Sequence, residues 1–183
     1  DLPFIYRVHD KPEPERLINL QNVVNVLGIK TKIPQTDNPK DFSVVIEELK
    51  KSRFDDFIKI MMLRTMAKAV YSPENIGHFG LASVNYTHFT SPIRRYPDLM
   101  VHRMLRTYFF EEHRDSKTLK HFNSILPHIA KINSEAEQKA VDLERKISDI
   151  KKAEFYEDKI GKTHKGTIVS MMKFGFFVEF SNK

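Results

Sequence analysis

Residues 85–103, which read NYTHFTSPIRRYPDLMVHR, carry the strongest local signal in this sequence. Ser91 is a favourable N-cap, because its hydroxyl can accept a backbone N–H that the first turn of a helix leaves unpaired. Pro92 suits the first helical position, where its missing N–H costs nothing. The pattern therefore predicts a helix that begins here, with Arg94 and Arg95 in its first turn. The helix dipole makes cations unfavourable at that end unless an anion is bound.

Two interpretations of the adjacent arginines stay open on spacing alone. In the first, the Ser91 hydroxyl, free backbone N–H groups and the two guanidinium groups together bind a phosphate. In the second, Arg94 pairs with Asp98 four residues along the helix and Arg95 is solvated. Asp98 and His102 are also four residues apart. We expect a structural hydrogen bond between them, because a metal site would need further carboxylates nearby.

The composition favours a polyanionic partner, although this signal alone is weak. Thirty Lys and Arg side chains against 24 Asp and Glu side chains give a formal net charge of +6. The absence of cysteine excludes disulfides and thiolate metal sites, and it fits a cytoplasmic protein. No apolar run is long enough to span a membrane, and no signal peptide opens the sequence. The missing start methionine suggests a piece of a longer protein.

Apolar residues recur at helical spacing in three segments of the first part of the chain. The first helix ends at Gly28, the second spans residues 39–51, and the third follows Ser52 as its N-cap. Residues 2–8 and the glycine- and aromatic-rich residues 78–89 predict extended backbone or strand. The side chains expected to be buried are Leu17, Leu20, Val23, Val24, Leu27, Phe42, Val45, Ile46, Leu49, Phe54, Phe57, Ile58, Met61, Met62, Thr65 and Met66.

The second half of the chain predicts two long elements and a hairpin. The helix that carries the two arginines is expected to run to about Phe110, and charged residues 111–117 predict a loop. After Pro127, apolar residues recur every three or four positions up to Ile150, which predicts one long amphipathic helix. Residues 166–180, GTIVSMMKFGFFVEF, predict two strands joined by a tight connection.

No cluster of metal-binding carboxylates is evident. Hydrolysis of a phosphodiester usually needs metal ions held by several carboxylates. Asp55 and Asp56 are adjacent, so on a helix they point about 100° apart. No Ser–His–Asp arrangement or glycine-rich nucleotide loop offers another chemistry. We therefore predict no metal ligand in this chain. The other carboxylates considered are scattered along helices: Asp98, Asp142, Glu144 and Asp149.

Residues 85–103 closely resemble the signature of the ribonuclease II and ribonuclease R family, the processive 3′-to-5′ exoribonucleases built on the RNB catalytic domain. Two flanking segments agree, residues 3–17 (PFIYRVHDKPEPERL) and residues 70–82 (VYSPENIGHFGLA). Residues 135–155 (EAEQKAVDLERKISDIKKAEF) are a looser match. Ribonuclease R is the closer of the two enzymes, and the resemblance covers nearly the whole chain.

The resemblance implies an α+β fold in two parts. Residues 1–160 would be the mainly helical second half of an RNB catalytic domain, and residues 161–183 the first strands of a truncated OB-type RNA-binding barrel. It implies a monomeric parent enzyme that hydrolyses single-stranded RNA to nucleoside 5′-monophosphates with magnesium. The family's magnesium-binding aspartates lie upstream of Asp1, so the isolated chain is expected to be inactive.

The resemblance also assigns roles to individual residues. Arg94 matches the family arginine that contacts the RNA phosphate near the scissile bond and aids catalysis, and Arg95 is the second candidate. Glu144 matches a glutamate near the end of the RNA path, although Leu143 departs from the family's Ala-Glu-Arg core. The remaining residues expected to bind RNA are His78, Tyr86, Thr90, Ser91, Lys165, Lys173, Phe174 and Phe177.

Alternatives remain for the aromatic residues and for the function. Phe79 and Phe89 could stack on bases or simply pack in a core, and we favour packing slightly. Phe174 and Phe177 could stack on bases, with Lys165 supplying charge, or serve the core of a hydrophobic hairpin. A second functional hypothesis is a non-catalytic RNA-binding or scaffold protein that kept the fold. The aspartate cluster in the parent sequence would discriminate between the two functions.

Overall fold

The computed structural model of this protein describes residues 2–36, 38–49 and 54–179. Within those ranges it contains five α-helices, a short 3₁₀-helix, a π-helix and two separate two-stranded antiparallel sheets. This mixture confirms the α+β prediction. The chain forms two compact units, Asp1–Glu137 and Gln138–Lys183. The domain boundary expected at residue 160 stays a prediction.

The sheet of the first unit joins two distant segments. It consists of β1 (Tyr6–Val8) and β2 (Val70–Ser72), and Arg7 pairs with Tyr71 across it. Strand β1 lies in the segment predicted to be extended, residues 2–8. The sheet thereby brings residues from the start of the chain beside those that precede the 85–103 stretch.

Three helices, α1 (Pro14–Val26), α2 (Pro39–Leu49) and α3 (Asp55–Thr65), surround a core of their own. The predicted helix end at Lys51, the N-cap Ser52 and the side chain of Leu49 lie outside what the structure describes. All buried members of this core except Ile33 belong to the predicted set. They are Leu17, Leu20, Val24, Ile33, Phe42, Val45, Ile58 and Met62.

Gly28 lies at the C′ position, two residues after the last residue of α1, and stops the helix as predicted. The φ angle of Gly28 is +72°, a conformation that glycine adopts without steric cost. The Gly28 N–H donates to the Asn25 carbonyl at 2.9 Å, and the Ile29 N–H donates to the Val24 carbonyl at 3.1 Å. These two bonds form a Schellman motif, which satisfies carbonyls that the helix end leaves unpaired.

Helix α4 (Tyr96–Leu105) begins at Tyr96 rather than at Pro92, so the predicted start is wrong and Ser91 is not its N-cap. A helix that began at Pro92 would carry Pro97 in its interior, where the ring clashes with the preceding turn and no N–H is available. In α4, Pro97 lies in the first turn, where it is tolerated. Residues 92–94 form a separate turn before the helix.

The predicted helix end near Phe110 is confirmed, because α4 continues as a π-helix (Arg106–Phe110). The next helix, α5 (Ser116–Glu157), contains Pro127 instead of following it, so the expected start is wrong. Asp115 explains the earlier start as the N-cap. Its Oδ1 accepts the Lys117 N–H at 2.9 Å and the next N–H at 3.1 Å.

A second core in the first unit surrounds α4 and the first part of α5. The Tyr108 hydroxyl donates to the Pro3 carbonyl at 3.0 Å, so this buried phenol is satisfied. Burial against this core offsets the cost of Pro127 within α5, whose ring is exposed. The buried members are Ile5, Tyr71, Met100, Val101, Met104, Tyr108, Phe122, Leu126 and Ala130.

Residues 78–89 contain no strand, so the strand alternative of the prediction "strand or extended backbone" is wrong. They contain a 3₁₀-helix (Phe79–Leu81) and isolated bridges from His78 to His9 and to Ser83. Glycine and aromatic residues suit a strand, but here the backbone folds back on itself after Gly77, whose φ is +77°. The segment's backbone hydrogen bonds go to turns within it and to single groups of Arg7 and His9, and they do not form a continuous ladder.

The second unit contains the predicted hairpin. Strands β3 (Thr167–Met172) and β4 (Gly175–Glu179) pair antiparallel around a tight connection at residues 173–174, which confirms the prediction.

Along α5, the apolar positions Ile132, Leu143 and Ile150 are exposed in the part of the chain that the structure describes. None of the helices described is both long and apolar enough to cross a membrane.

Candidate nucleic-acid interface

Two hydrogen bonds attach the start of the signature loop, which we define as residues 86–95, to strand β1 and the residue before it. The Arg7 N–H donates to the Tyr86 carbonyl at 2.9 Å. The Thr87 hydroxyl donates to the Ile5 carbonyl at 2.9 Å. The Arg7 N–H and the Ile5 carbonyl would otherwise need a partner on a neighbouring strand. The two bonds supply that partner and hold the irregular signature loop in place without a sheet ladder.

Side chains of β2 and α4 hold the middle of the signature loop. His88 Nδ1 lies 2.8 Å from the Tyr71 hydroxyl. His102 Nε2 donates to the Phe89 carbonyl at 2.8 Å, and the two rings stack with centroids 4.4 Å apart. The predicted hydrogen bond between Asp98 and His102 is therefore wrong, because the His102 ring turns toward the loop.

Asp98 holds the end of the signature loop from within α4. Its side chain is fully buried, and its Oδ2 accepts the Ser91 N–H and an Arg95 Nη2–H, each at 2.8 Å. Burial alone would raise the pKa of Asp98, but hydrogen bonds from Arg95 and from the Ser91 N–H hold that pKa below its ordinary value. The predicted pair of Arg94 with Asp98 is wrong, because Arg94 lies in the turn before α4 and helical spacing does not apply.

The two adjacent arginines have different environments. The Arg95 side chain is only 23% exposed and is paired with Asp98, so it is not the solvated residue of the second interpretation. Arg94 is exposed, and its side chain makes no ion pair or hydrogen bond with any other residue that the structure describes. Ile93 beside it is fully exposed. The signature loop thus exposes the guanidinium of Arg94 to solvent, whereas the guanidinium of Arg95 is paired with Asp98.

A row of rings extends from β1 to the signature loop. His9 and His78 stack with centroids 5.0 Å apart, and His78 meets Tyr86 edge-on at 5.0 Å. Tyr86 then contacts His88 at 5.9 Å. Burial, and next the neighbouring His9, lowers the pKa of His78. The structure therefore brings His78 and Tyr86, both predicted to bind RNA, into contact with each other.

The other aromatic residues considered for base stacking differ in environment. Phe79 packs edge-on against Phe42 at 5.5 Å, beside the core of α1–α3, which fits the packing interpretation. Phe89 is 46% exposed on the surface that also carries exposed Thr90. This exposure does not fit core packing of Phe89, although its ring stacks on His102.

The RNB domain family matches residues 1–111 of this chain. The chain belongs to the RNB domain family. Ribonuclease R of Mycoplasmopsis pulmonis is 50% identical over 183 residues, which cover 100% of this chain and 25% of that protein. The chain thus spans about a quarter of the length of this relative. The match confirms the family assigned from the signature segments.

Solved structures support the same family. Mycoplasma genitalium RNase R, solved as an apo form and in complex with ribose-methylated single-stranded RNA, matches with a TM-score of 0.89 and 33% identity. The match covers 98% of this RNB chain and 28% of that protein. Yeast Ssd1, described as a pseudonuclease, matches with a TM-score of 0.52 and 23% identity. This match covers 75% of the RNB chain and 18% of the Ssd1 chain. The likeness to Ssd1 shows the fold alone.

Positive charges surround His88 in the RNB chain. Burial lowers its pKa most, followed by the charges of Arg95 and Arg7, while Asp98 and Glu137 oppose the shift. Arg7 itself lies over the Tyr71 ring, 4.7 Å from its centroid, and both of its terminal nitrogens bind the Glu137 carboxylate. Protonation of the neutral His88 ring would therefore place a positive charge near the guanidinium groups of Arg7 and Arg95 in a half-buried site.

Lowering the pH from 7.5 to 5.5 is expected to destabilise the protein, and His88→Gln should reduce that loss. The folded pKa of His88 lies below the ordinary 6.5, so the unfolded chain binds the proton first. The stability from neutral His88 is complete above pH 6.5 and falls as the pH drops below that value. Urea unfolding at both pH values measures this effect. His128→Gln, at an exposed site on α5, is the control, and identical pH dependence in both variants would contradict the prediction.

The predicted RNA-binding residues of the second unit are all exposed. Glu144 lies on α5, and Lys165 and Lys173 lie before and between the hairpin strands. Phe174 is 83% exposed and Phe177 is 52% exposed, with their rings edge-on at 6.3 Å. The hairpin thus presents both phenylalanines to solvent, and their role in binding RNA stays a prediction.

The residues that the structure describes do not form a magnesium site. Among the residues described, no group of three or more His, Asp and Glu side chains is close enough to hold a metal ion. The side chains of Asp55 and Asp56 lie outside the description. No chemical step is therefore derived through a metal in this chain.

Several residues that build the interface were not predicted from the sequence. The sequence predicts the wrong partner for Asp98, because a helix that starts at Pro92 would place Arg94 one turn before Asp98, whereas α4 begins at Tyr96. Arg7, Tyr71 and Thr87 carried no local signal. Arg7 and Tyr71 contact the signature loop, which contains Thr87, only because β1 pairs with β2 across more than sixty residues of sequence.

Proposed function

We propose that this chain is part of a processive 3′-to-5′ exoribonuclease that hydrolyses RNA to nucleoside 5′-monophosphates. It would supply contacts to RNA phosphates and the scaffold that positions them. The observation that carries this proposal is the exposed Arg94 on a loop anchored by hydrogen bonds, next to an Arg95 that is already paired. Membership of the RNB family and the similarity to ribonuclease R support it.

Arg94 would act by neutralising charge on the phosphate near the bond that breaks. A guanidinium can donate two parallel hydrogen bonds to phosphate oxygens, which fixes geometry as well as charge. The anchored loop holds the backbone of Arg94 in place before the substrate arrives, so only its side chain must adjust as charge builds up. Ser91 and Thr90 would contact neighbouring phosphates, while His78 and Tyr86 would meet bases through their exposed edges.

We further propose that the parent enzyme is a magnesium-dependent hydrolase whose metal ligands lie outside the described residues. The chemistry of phosphodiester cleavage supports a metal, which would activate water and stabilise the leaving oxygen. In the second unit, Glu144, Lys165, Lys173, Phe174 and Phe177 would contact RNA beyond the reacting end. The family resemblance also supports a monomeric, cytoplasmic enzyme that binds single-stranded RNA.

The isolated chain is expected not to shorten RNA when magnesium is added. The reason is that the described part of the chain contains no group of three or more carboxylate or histidine side chains close enough together to hold a metal ion. A 3′-to-5′ degradation assay on end-labelled single-stranded RNA measures this, with the full-length protein as the positive control. Metal-dependent shortening that disappears in the Arg94→Ala variant of the isolated chain would contradict the prediction, whereas shortening that persists would indicate a contaminating nuclease.

Binding of single-stranded RNA is expected to weaken as salt rises. Each phosphate contact on a single strand contributes about 0.7 to the slope of log affinity against log salt. Arg94→Ala should therefore reduce the slope by about 0.7. Fluorescence anisotropy with a short labelled RNA measures it, and Arg64→Ala, at an exposed arginine of α3, is the matched control. Equal slopes for the two variants would exclude Arg94 as a phosphate contact.

A second candidate function is a non-catalytic RNA-binding or scaffold protein. The observation that favours it is that the exposed Arg94 and the net charge of +6 account for binding to RNA phosphates without any cleavage chemistry. The two candidates differ in one assay. Degradation of RNA by the full-length protein with magnesium supports the exoribonuclease, and salt-dependent binding without degradation supports the binding protein.

A further inference from the structure

One buried carboxylate oxygen connects the two residues that flank the exposed turn. Asp98 Oδ2 accepts the Ser91 N–H from before the turn and the Arg95 Nη2–H from after it, both at 2.8 Å. The Ser91 carbonyl also accepts the Arg95 N–H at 3.0 Å. Arg94 lies between these tied residues, so its backbone is held while its side chain stays exposed.

Asp98 also gives the two arginines different electrostatic environments. Its carboxylate neutralises Arg95 inside the protein and leaves the guanidinium of Arg94 exposed. Arg95 Nε and Asp98 Oδ1 are buried without a hydrogen bond to any described residue. The pair is therefore held by charge and one hydrogen bond rather than by a full two-point fork. Removal of the charge on Asp98 should release Arg95.

We propose that Asp98 is a positioning residue that assigns phosphate binding to Arg94 by holding Arg95 back. The inference rests on the proposed function, because it needs Arg94 to act on RNA. Without the negative charge at Asp98, Arg95 would compete for the same phosphate from a displaced position. RNA would then bind at least as tightly, but with its scissile phosphate out of place.

Asp98→Asn in the full-length protein separates this role from simple support of the fold. Asparagine keeps an oxygen for the Ser91 N–H but loses the charge that holds Arg95. We expect kcat for RNA degradation to fall at least tenfold while KM stays equal or decreases. Asp149→Asn is the control, because Asp149 forms an exposed i,i+3 ion pair with Lys152 on α5. An unchanged kcat for folded Asp98→Asn would overturn the proposal.

The double variant Arg95→Gln/Asp98→Asn tests the same idea if Asp98→Asn alone does not fold. A neutral Gln–Asn pair restores a hydrogen bond and removes the competing charge. We expect its kcat to lie within about threefold of the wild type. A folded double variant that is tenfold or more slower than the wild type would overturn the proposal.

Arg94→Lys, measured in parallel, distinguishes failure of the proposed role of Arg94 from failure of the positioning role of Asp98. If Arg94→Lys leaves turnover intact, the proposed role of Arg94 fails, and the positioning role fails with it. If Arg94→Lys is slow and folded Asp98→Asn is not, only the positioning role fails. If both are slow and the double variant recovers, the positioning role is supported.

Discussion

Replacing Arg94 by lysine in the full-length protein is expected to slow RNA hydrolysis about a hundredfold while RNA affinity stays nearly unchanged. Lysine keeps the positive charge but loses the planar fork that meets two phosphate oxygens. By analogy with the loss of one oxyanion donor, the cost is roughly 3 kcal/mol of transition-state stabilisation. Because the charge remains, ground-state binding should change little. Single-turnover rates at saturating RNA, together with equilibrium binding, measure the two effects separately.

The control for this prediction is Arg64→Lys, an exposed arginine in the last turn of α3. It makes the same chemical change away from the signature loop and should leave both rate and affinity unchanged. If Arg94→Lys only weakens binding, with turnover intact at saturation, Arg94 holds the RNA backbone without aiding catalysis. If Arg94→Lys unfolds the protein, the exposed environment described for its side chain is wrong.

Leu126→Ala is expected to destabilise the first unit by roughly 2–5 kcal/mol, the range found for leucines truncated in a close-packed core. Leu126 is fully buried among the side chains of α4, α5 and β2. Truncation removes apolar contacts and leaves a cavity that the surrounding helices only partly fill. Urea unfolding followed by circular dichroism measures the loss as a shift in the midpoint.

Leu143→Ala provides a matched control on the same helix. Leu143 is 58% exposed in the part of the chain that the structure describes, so the same truncation should cost far less. A helix position occupied by alanine instead of leucine changes intrinsic helix propensity only slightly. Equal destabilisation by the two variants would show that the core around Leu126 is not packed as described.

The sequence predicts helix ends and the hairpin well, because these features depend on residues that are close together along the chain. Gly28 ends α1, since no other residue adopts the required φ as readily. The hairpin follows from the alternating pattern around residues 173–174. The α5 start was also readable, because Asp115 is a good N-cap. Pro127 favours a helix boundary, but burial of Leu126 beside it overrides that preference.

The helix after the signature loop shows where two local signals conflict. Ser91 and Pro92 favour a start at Pro92, whereas Pro97 in a first turn favours a later start. Helix α4 begins at Tyr96, four residues after Pro92, and so keeps Pro97 out of the helix interior. The later proline therefore outweighs the favourable N-cap.

The sequence by itself determined the family, the helices, the hairpin and the pair of arginines that form the candidate site. It did not determine which arginine stays free, because adjacent residues share almost the same local signals. The tertiary structure decided this when Asp98 became buried within reach of Arg95 and of the Ser91 N–H. A buried carboxylate requires partners to offset its lost hydration, so it binds whichever donors the fold brings to it. That choice depends on distances in the folded protein, which spacing along the chain does not specify.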